Sequence, residues 1–378
     1  MSYTLDDVLR AIRTGLSDTL YYMFKAFCIE GAVAGIGSAI IQPVGAQVPS
    51  GKRTATRIVA ASNSLDKTRA DYVCDGIHDE EEINRAISDL ALTGGTVLLL
   101  EGTYNIGSAG TKIIEFEGVY IELPYGIYIT SNVRLIGQGR STILVTDSSN
   151  FDFGNSPLGA VILSDNASGI EISHITINGN QPNLATPICG IFLASFTERT
   201  SDSAITNCNV YNTLAAIGGY MDRCIIAENI CNNNVYAGIA GGGDSNTVYC
   251  NICSDSFEGI NIGGTNNCIY CNICYNIPYA GILIGGSSYM TSSDNLACNN
   301  ICRKCGSIGI AVDMADYCVV SGNIVRHDNV GGYGIAVRGT GHIIINNDLY
   351  QAGTSADFYD LGTDTVYHNN RTTQGWIP

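Results

Sequence analysis

Between residues 229 and 335, short Ile/Val-rich segments alternate with Asn, Gly and Ser turns, and no ten-residue stretch of the repeat keeps a helical spacing. The dipeptide Asn-Ile recurs at Asn229, Asn251, Asn272, Asn300 and Asn323, in steps of 22, 21, 28 and 23 residues. A second marker, Gly-Ile, keeps phase with it at Gly238, Gly259, Gly281, Gly309 and Gly334. Two markers locked to one short period predict a solenoid in which each repeat is a rung of short strands stacked on the next, a parallel β-helix. The asparagines read as a ladder at a bend, a structural role, since Asn tolerates left-handed backbone geometry and can bond its neighbours above and below.

Residues 4–27 have a different pattern. Leu5, Leu9, Ile12, Leu16 and Met23 follow a near-heptad spacing, and Thr4 with Asp7 makes a capping-box-like start. This predicts an amphipathic helix that either packs on the end of the solenoid or drives self-association. Residues 28–54 read as a linker rich in Gly and Ala, with Pro43 and Pro49. The expected division is 1–54 as helical attachment segment and linker, and 55–378 as solenoid.

The start of the second part carries a resemblance. Thr56-Arg57-Ile58-Val59-Ala60-Ala61-Ser62, the acidic run Asp79-Glu80-Glu81-Glu82, Gly102-Thr103-Tyr104 and Leu135-Ile136-Gly137-Gln138-Gly139 together resemble the opening of the pectate-lyase-like superfamily of right-handed β-helix proteins. The resemblance implies an all-β, right-handed, single-stranded solenoid with a short capping helix near 79–91, and the length of the repeating part predicts about nine to eleven coils. It implies no single activity, because the superfamily holds lyases, hydrolases, epimerases, tailspikes and structural modules. Its tailspike-like members imply a homotrimer. Insertions relative to regular coils fall at 106–128, 178–188 and near 286–297, where solenoids place binding loops.

Composition narrows the partners. The net charge is −16, which opposes a nucleic-acid partner. No apolar run is long enough to span a bilayer, and the acidic N-terminus lacks the basic region of a signal peptide. Fifteen cysteines would suggest disulfides in a small secreted chain. Here Cys231, Cys253, Cys274 and Cys302 each follow Asn-Ile, so they read as a stack of reduced core residues, which points to synthesis in a reducing compartment. The same phase makes Cys250-x-x-Cys253 and Cys271-x-x-Cys274 poor zinc candidates, and no metal or other cofactor is expected.

Candidate chemistry lies in the late coils. Asp313 and Asp316 are the possible catalytic carboxylates, since glycan hydrolysis needs such a pair. Asp313 shares its phase with Arg338 on the next coil, so the plainer reading is a solvated ion pair. Arg338, His342, Glu258 and Tyr289 are candidate substrate-binding residues. Scattered tyrosines, among them Tyr236, Tyr249, Tyr270 and Tyr279, suit stacking on sugar rings but are also ordinary strand residues. The Gly-His-Gly and Arg-Ile-Lys elements of polygalacturonase-like hydrolases are absent; Gly341-His342 is followed by Ile343. These readings favour a polysaccharide-binding tailspike- or adhesin-like module of a virion or cell surface, attached to a larger assembly through residues 1–50. A polysaccharide lyase or hydrolase and a purely structural shell or filament subunit are the alternatives.

Overall fold

A computed structural model describes residues 55–116, 119–194, 199–285, 291–327, 332–353 and 355–377. The helix read at residues 4–27, and Tyr289, lie outside them. Among the described residues the chain winds into a right-handed β-solenoid of about 8 turns. One turn shows the pattern: Thr247–Tyr249 lies in sheet A, Ile252–Ser254 in sheet B and Glu258–Ile262 in sheet C. In the coils between residues 204 and 368 each strand pairs in parallel with its counterpart 21 to 28 residues away, as in Thr247↔Cys268, Ile252↔Ile273 and Ile260↔Ile282. The turn count lies below the nine to eleven read from the sequence, and the last two strands, Asn370–Thr372 and Gly375–Ile377, pair antiparallel.

Three corners close each coil, and one chemistry recurs at many of them. One residue takes left-handed geometry, for example Cys250 (φ 53), Asp255 (φ 54) and Asn266 (φ 56). The next residue turns its polar side chain inward and bonds the coil beside it. Between sheets A and B this residue is Asn229, Asn251, Asn272, Asn300, Asn323, Asn347 and Asn370, all fully buried. The backbone N–H of Asn251 donates to Asn272 Oδ1 at 2.9 Å, and Asn251 Nδ2 donates to the same oxygen at 3.0 Å. Every later pair repeats this geometry. A buried backbone amide needs such a partner, and the ladder supplies one per coil.

The corner between sheets C and A has its own ladder. Cys224 N–H donates to Asn246 Oδ1, Asn246 to Asn267 and Asn267 to Asn295, each at 2.9 Å. A shorter one, Thr213–Asn234–Ser256, occupies the corner between B and C.

The core follows from the two sequence markers. Ile239, Ile260, Ile282, Ile310 and Ile335 form one buried column on sheet C. Cys231, Cys253, Cys274 and Cys302 are in register on sheet B, fully buried and unbridged. The glycines before the Ile column face those thiols. A methyl group added at Gly238 would lie 2.7 Å from Cys253 Sγ, and at Gly259 2.8 Å from Cys274 Sγ. Gly-Ile and Asn-Ile-Cys keep one phase because the first leaves the room that the second fills. Cys250 and Cys271 sit at bends while Cys253 and Cys274 sit in this column, so the four thiols do not converge on a zinc-like site.

The first coils are closed by helix α1, Glu80–Ser88, which buries Ile83, Ala86 and Ile87. It is pinned by two buried carboxylates. Asp79 accepts from Gly76 N–H and Asn105 N–H, both at 2.8 Å, and Glu80 accepts from Gly107 N–H at 2.7 Å. The insertion at 106–128 is an antiparallel hairpin, Gly110–Phe116 with Val119–Tyr128, whose second strand joins sheet C beside Gly159–Asp165.

Candidate functional site

Asp313 ends the strand Ile308–Asp313 of sheet C. Val312 pairs with Val337 on the next coil, which brings Arg338 level with Asp313. Arg338 Nε lies 2.6 Å from Asp313 Oδ1, with the two side chains 51% and 37% exposed. Such a pair contributes about 0–1 kcal/mol.

Asp316 has a separate partner. Its Oδ1 accepts the backbone N–H of Thr340 at 2.8 Å. The same cap occurs on earlier coils, where Asp222 accepts from Asp244 N–H and Asp244 from Thr265 N–H, both at 2.8 Å. Asp316 is therefore a rung of an outer ladder that runs alongside the inner one. Each carboxylate of the sequence-predicted pair is engaged with its own group on the next coil.

His342 is fully buried. It stands one place before Ile343 in sheet A, the ladder position, where its Nδ1 accepts the N–H of Cys318 at 3.3 Å. It thus continues the column of Asn246, Asn267 and Asn295 and is turned away from the surface on which a substrate would lie. Its Nε2 is buried with no partner among the described residues. Burial pushes its pKa below the usual 6.5, against a smaller upward pull from Asp316 and Asp360. The folded form resists a proton that the unfolded chain accepts, so this residue makes stability fall as pH drops below about 6.5. His342→Asn, the residue used at three other rungs, is expected to remove that part of the acid sensitivity, read as melting temperature between about pH 7.5 and 5.

Glu258 lies on the opposite, outer side of sheet C from the Ile column. It is only 4% exposed, and its Oε2 accepts from Asn261 Nδ2 at 2.8 Å. Asn261 Nδ2 also lies 3.2 Å from the hydroxyl oxygen of Tyr236. Around this pair stand aromatic rings that the sequence did not bring together. Ala237, Glu258 and Ala280 are register mates, so the residues before them, Tyr236, Phe257 and Tyr279, rise along one edge of the sheet at coil spacing. Phe257 and Tyr279 stack at 5.2 Å with ring planes 3° apart. Tyr236 and Phe257 are 38% and 46% exposed. Phe257 and Asn261 were missed; counting two residues back from Gly238, Gly259 and Gly281 finds the aromatic row.

No protein-family model matches the chain, and no curated protein matches it. Solved structures do. The A-module of mannuronan C-5 epimerase AlgE6 from Azotobacter vinelandii aligns with a TM-score of 0.59 at 17% identity, covering 78% of this chain and 77% of that one. The Dettilon tailspike protein aligns with a TM-score of 0.57 at 13% identity, covering 77% and 58%. The tailspike of E. coli bacteriophage HK620, solved with a pentasaccharide, gives 0.52 at 13% identity, covering 77% and 61%. The chain thus spans less than two thirds of either tailspike. At such identities a likeness carries the fold alone, and the fold is a right-handed parallel β-helix.

Proposed function

We propose that the chain is a glycan-binding β-helix module whose ligand lies on the outer face of sheet C. The observation that carries this reading is the aromatic row of exposed Tyr236 and Phe257 and half-buried Tyr279 beside buried Glu258 and its half-buried partner Asn261. Aromatic faces next to a few fixed polar groups suit sugar rings, which pair an apolar face with a rim of hydroxyls. Structural neighbours that include an epimerase of mannuronan and a tailspike bound to a pentasaccharide support a polysaccharide as the ligand class. Phe257→Ala is expected to weaken oligosaccharide binding about tenfold, measured by calorimetry, with little change in melting temperature since the ring is half exposed. Unchanged affinity would move the site off this face.

The attachment part of the reading is a tailspike- or adhesin-like trimer on a virion or cell surface, joined to its assembly through residues 1–50. The near-heptad seam of residues 4–27 supports it. The expected mass of the full chain in solution is that of a trimer, and of the chain beginning at Ser50 that of a monomer. Cleavage of the glycan is the second reading, with Asp313 and Asp316 as its carboxylates and Arg338 beside them. If Asp313→Asn and Asp316→Asn leave any measured turnover unchanged, that reading fails.

A further inference from the structure

The face proposed above has a sign. Seven strands of sheet C follow one another beyond Gly159–Asp165, the strand next to the hairpin: Ile188–Ala194, Ala215–Asp222, Ala237–Gly242, Glu258–Ile262, Ala280–Gly285, Ile308–Asp313 and Tyr333–Val337. None contains a Lys or Arg, and they carry three acids, Asp222, Glu258 and Asp313. The residues that directly follow two of these strands in the chain, 195–198 and 286–290, add no Lys or Arg. Among the described residues, two lysines border these strands but sit over tyrosine rings, Lys112 at 4.4 Å from the Tyr128 centroid and Lys304 at 5.3 Å from that of Tyr275, and two arginines at the far margin are engaged by carboxylates. Arg338 holds Asp313 at 2.6 Å, and Arg199 holds Asp222 at 3.0 Å and Asp244 at 3.3 Å.

We infer, on the basis of that reading, that the ligand is a neutral glycan and that acidic polysaccharides are rejected. A uronate polymer brings one carboxylate per sugar. On these seven strands it would meet Glu258 and, among the described residues, no Lys or Arg to receive it, and like charges brought together without a counter-charge disfavour binding. An ionised carboxylate such as Glu258 only accepts hydrogen bonds, and sugar hydroxyls donate them. The Phe257 and Tyr279 rings take the apolar side of the sugar, so recognition needs no ion pair. This separates the chain's expected substrate class from the polyuronate named for its epimerase neighbour, although the folds superpose.

The test uses the full chain on an array of neutral, uronate and amino-sugar oligosaccharides, followed by calorimetry with the strongest binder. The expected result is a neutral oligosaccharide whose affinity changes less than about twofold between 50 and 500 mM NaCl. Phe257→Ala and Glu258→Gln should each weaken it about tenfold. Ala240→Lys adds a cation on the outer face, at the register mate of Asn261, and should confer measurable binding of a mannuronate oligosaccharide. Strongest binding to a uronate or an amino-sugar polymer, or an affinity that falls more than tenfold over that salt range, overturns the neutral assignment and leaves the glycan reading standing. Silence across the whole array overturns both.

Discussion

Replacing Asn272 by Ala is expected to cost about 3 kcal/mol of folding stability, more than a single exposed hydrogen bond is worth. The Asn272 carboxamide serves two neighbours at once. Its Oδ1 accepts both the N–H and the Nδ2 of Asn251, and its Nδ2 donates to the carbonyl of Val248 and to Asn300 Oδ1. All of this is sealed from water, since each of these asparagines is fully buried. Ala leaves the Asn251 amide without an acceptor in a place where water cannot replace it, and an orphaned buried donor carries the full desolvation penalty. The double variant Asn251→Ala/Asn272→Ala should cost less than the two singles added, because the second change removes one of the groups that the first one stranded. Urea unfolding of the three variants measures both quantities. A single-variant cost under about 1 kcal/mol, or strict additivity, would show that the ladder is ornamental to stability.

Gly259→Ala should be nearly as damaging, for a reason that has nothing to do with backbone freedom. The new methyl would lie 2.3 Å from the carbonyl oxygen of Gly281 and 2.8 Å from Cys274 Sγ. The thiol can rotate, but the carbonyl belongs to the parallel ladder of sheet C and cannot. Overpacking of this kind costs about 1–3 kcal/mol, and the upper end is expected here because a backbone atom is in the way. Trimming Cys274 to Ala should therefore fail to rescue the variant. Gly154 makes the contrast: its φ is +54 with nothing within 4 Å of an added Cβ, so Gly154→Asn should shift stability by under about 1 kcal/mol. Melting temperatures of the three proteins decide it.

Much of the fold was legible because a solenoid writes its period into the chain. Asn251-Ile252-Cys253 and Gly259-Ile260 recur because the same three-sided rung is built again and again, and one ladder, one thiol column and the Asp313–Arg338 contact could all be read from phase alone. The other two ladders were not, because their residue types drift. Cys224, Asn246, Asn267, Asn295, Cys318 and His342 do one job with three kinds of side chain, so His342 looked like a surface candidate when it is a buried rung. That Asp316 is also one cap in a column that Asp222 and Asp244 begin was equally hidden. The aromatic row escaped for another reason. Tyr236, Phe257 and Tyr279 differ in type and stand 21 and 22 residues apart, so only counting back from the Gly-Ile markers, and not residue type, shows them as neighbours.

The repeated register also makes the rungs exchangeable. Deleting Thr247–Asn267 removes 21 residues and joins Asn246 to Cys268, with Asn229 then facing Asn272 and Cys231 facing Cys274, each a pair of the same kind as before. The cross-section would be unchanged and the shaft shorter by about 4.8 Å, the spacing of neighbouring strands. Length in this protein is therefore counted in whole coils rather than adjusted continuously, and a lineage that gains or loses one repeat changes its reach by a fixed increment while keeping every corner intact.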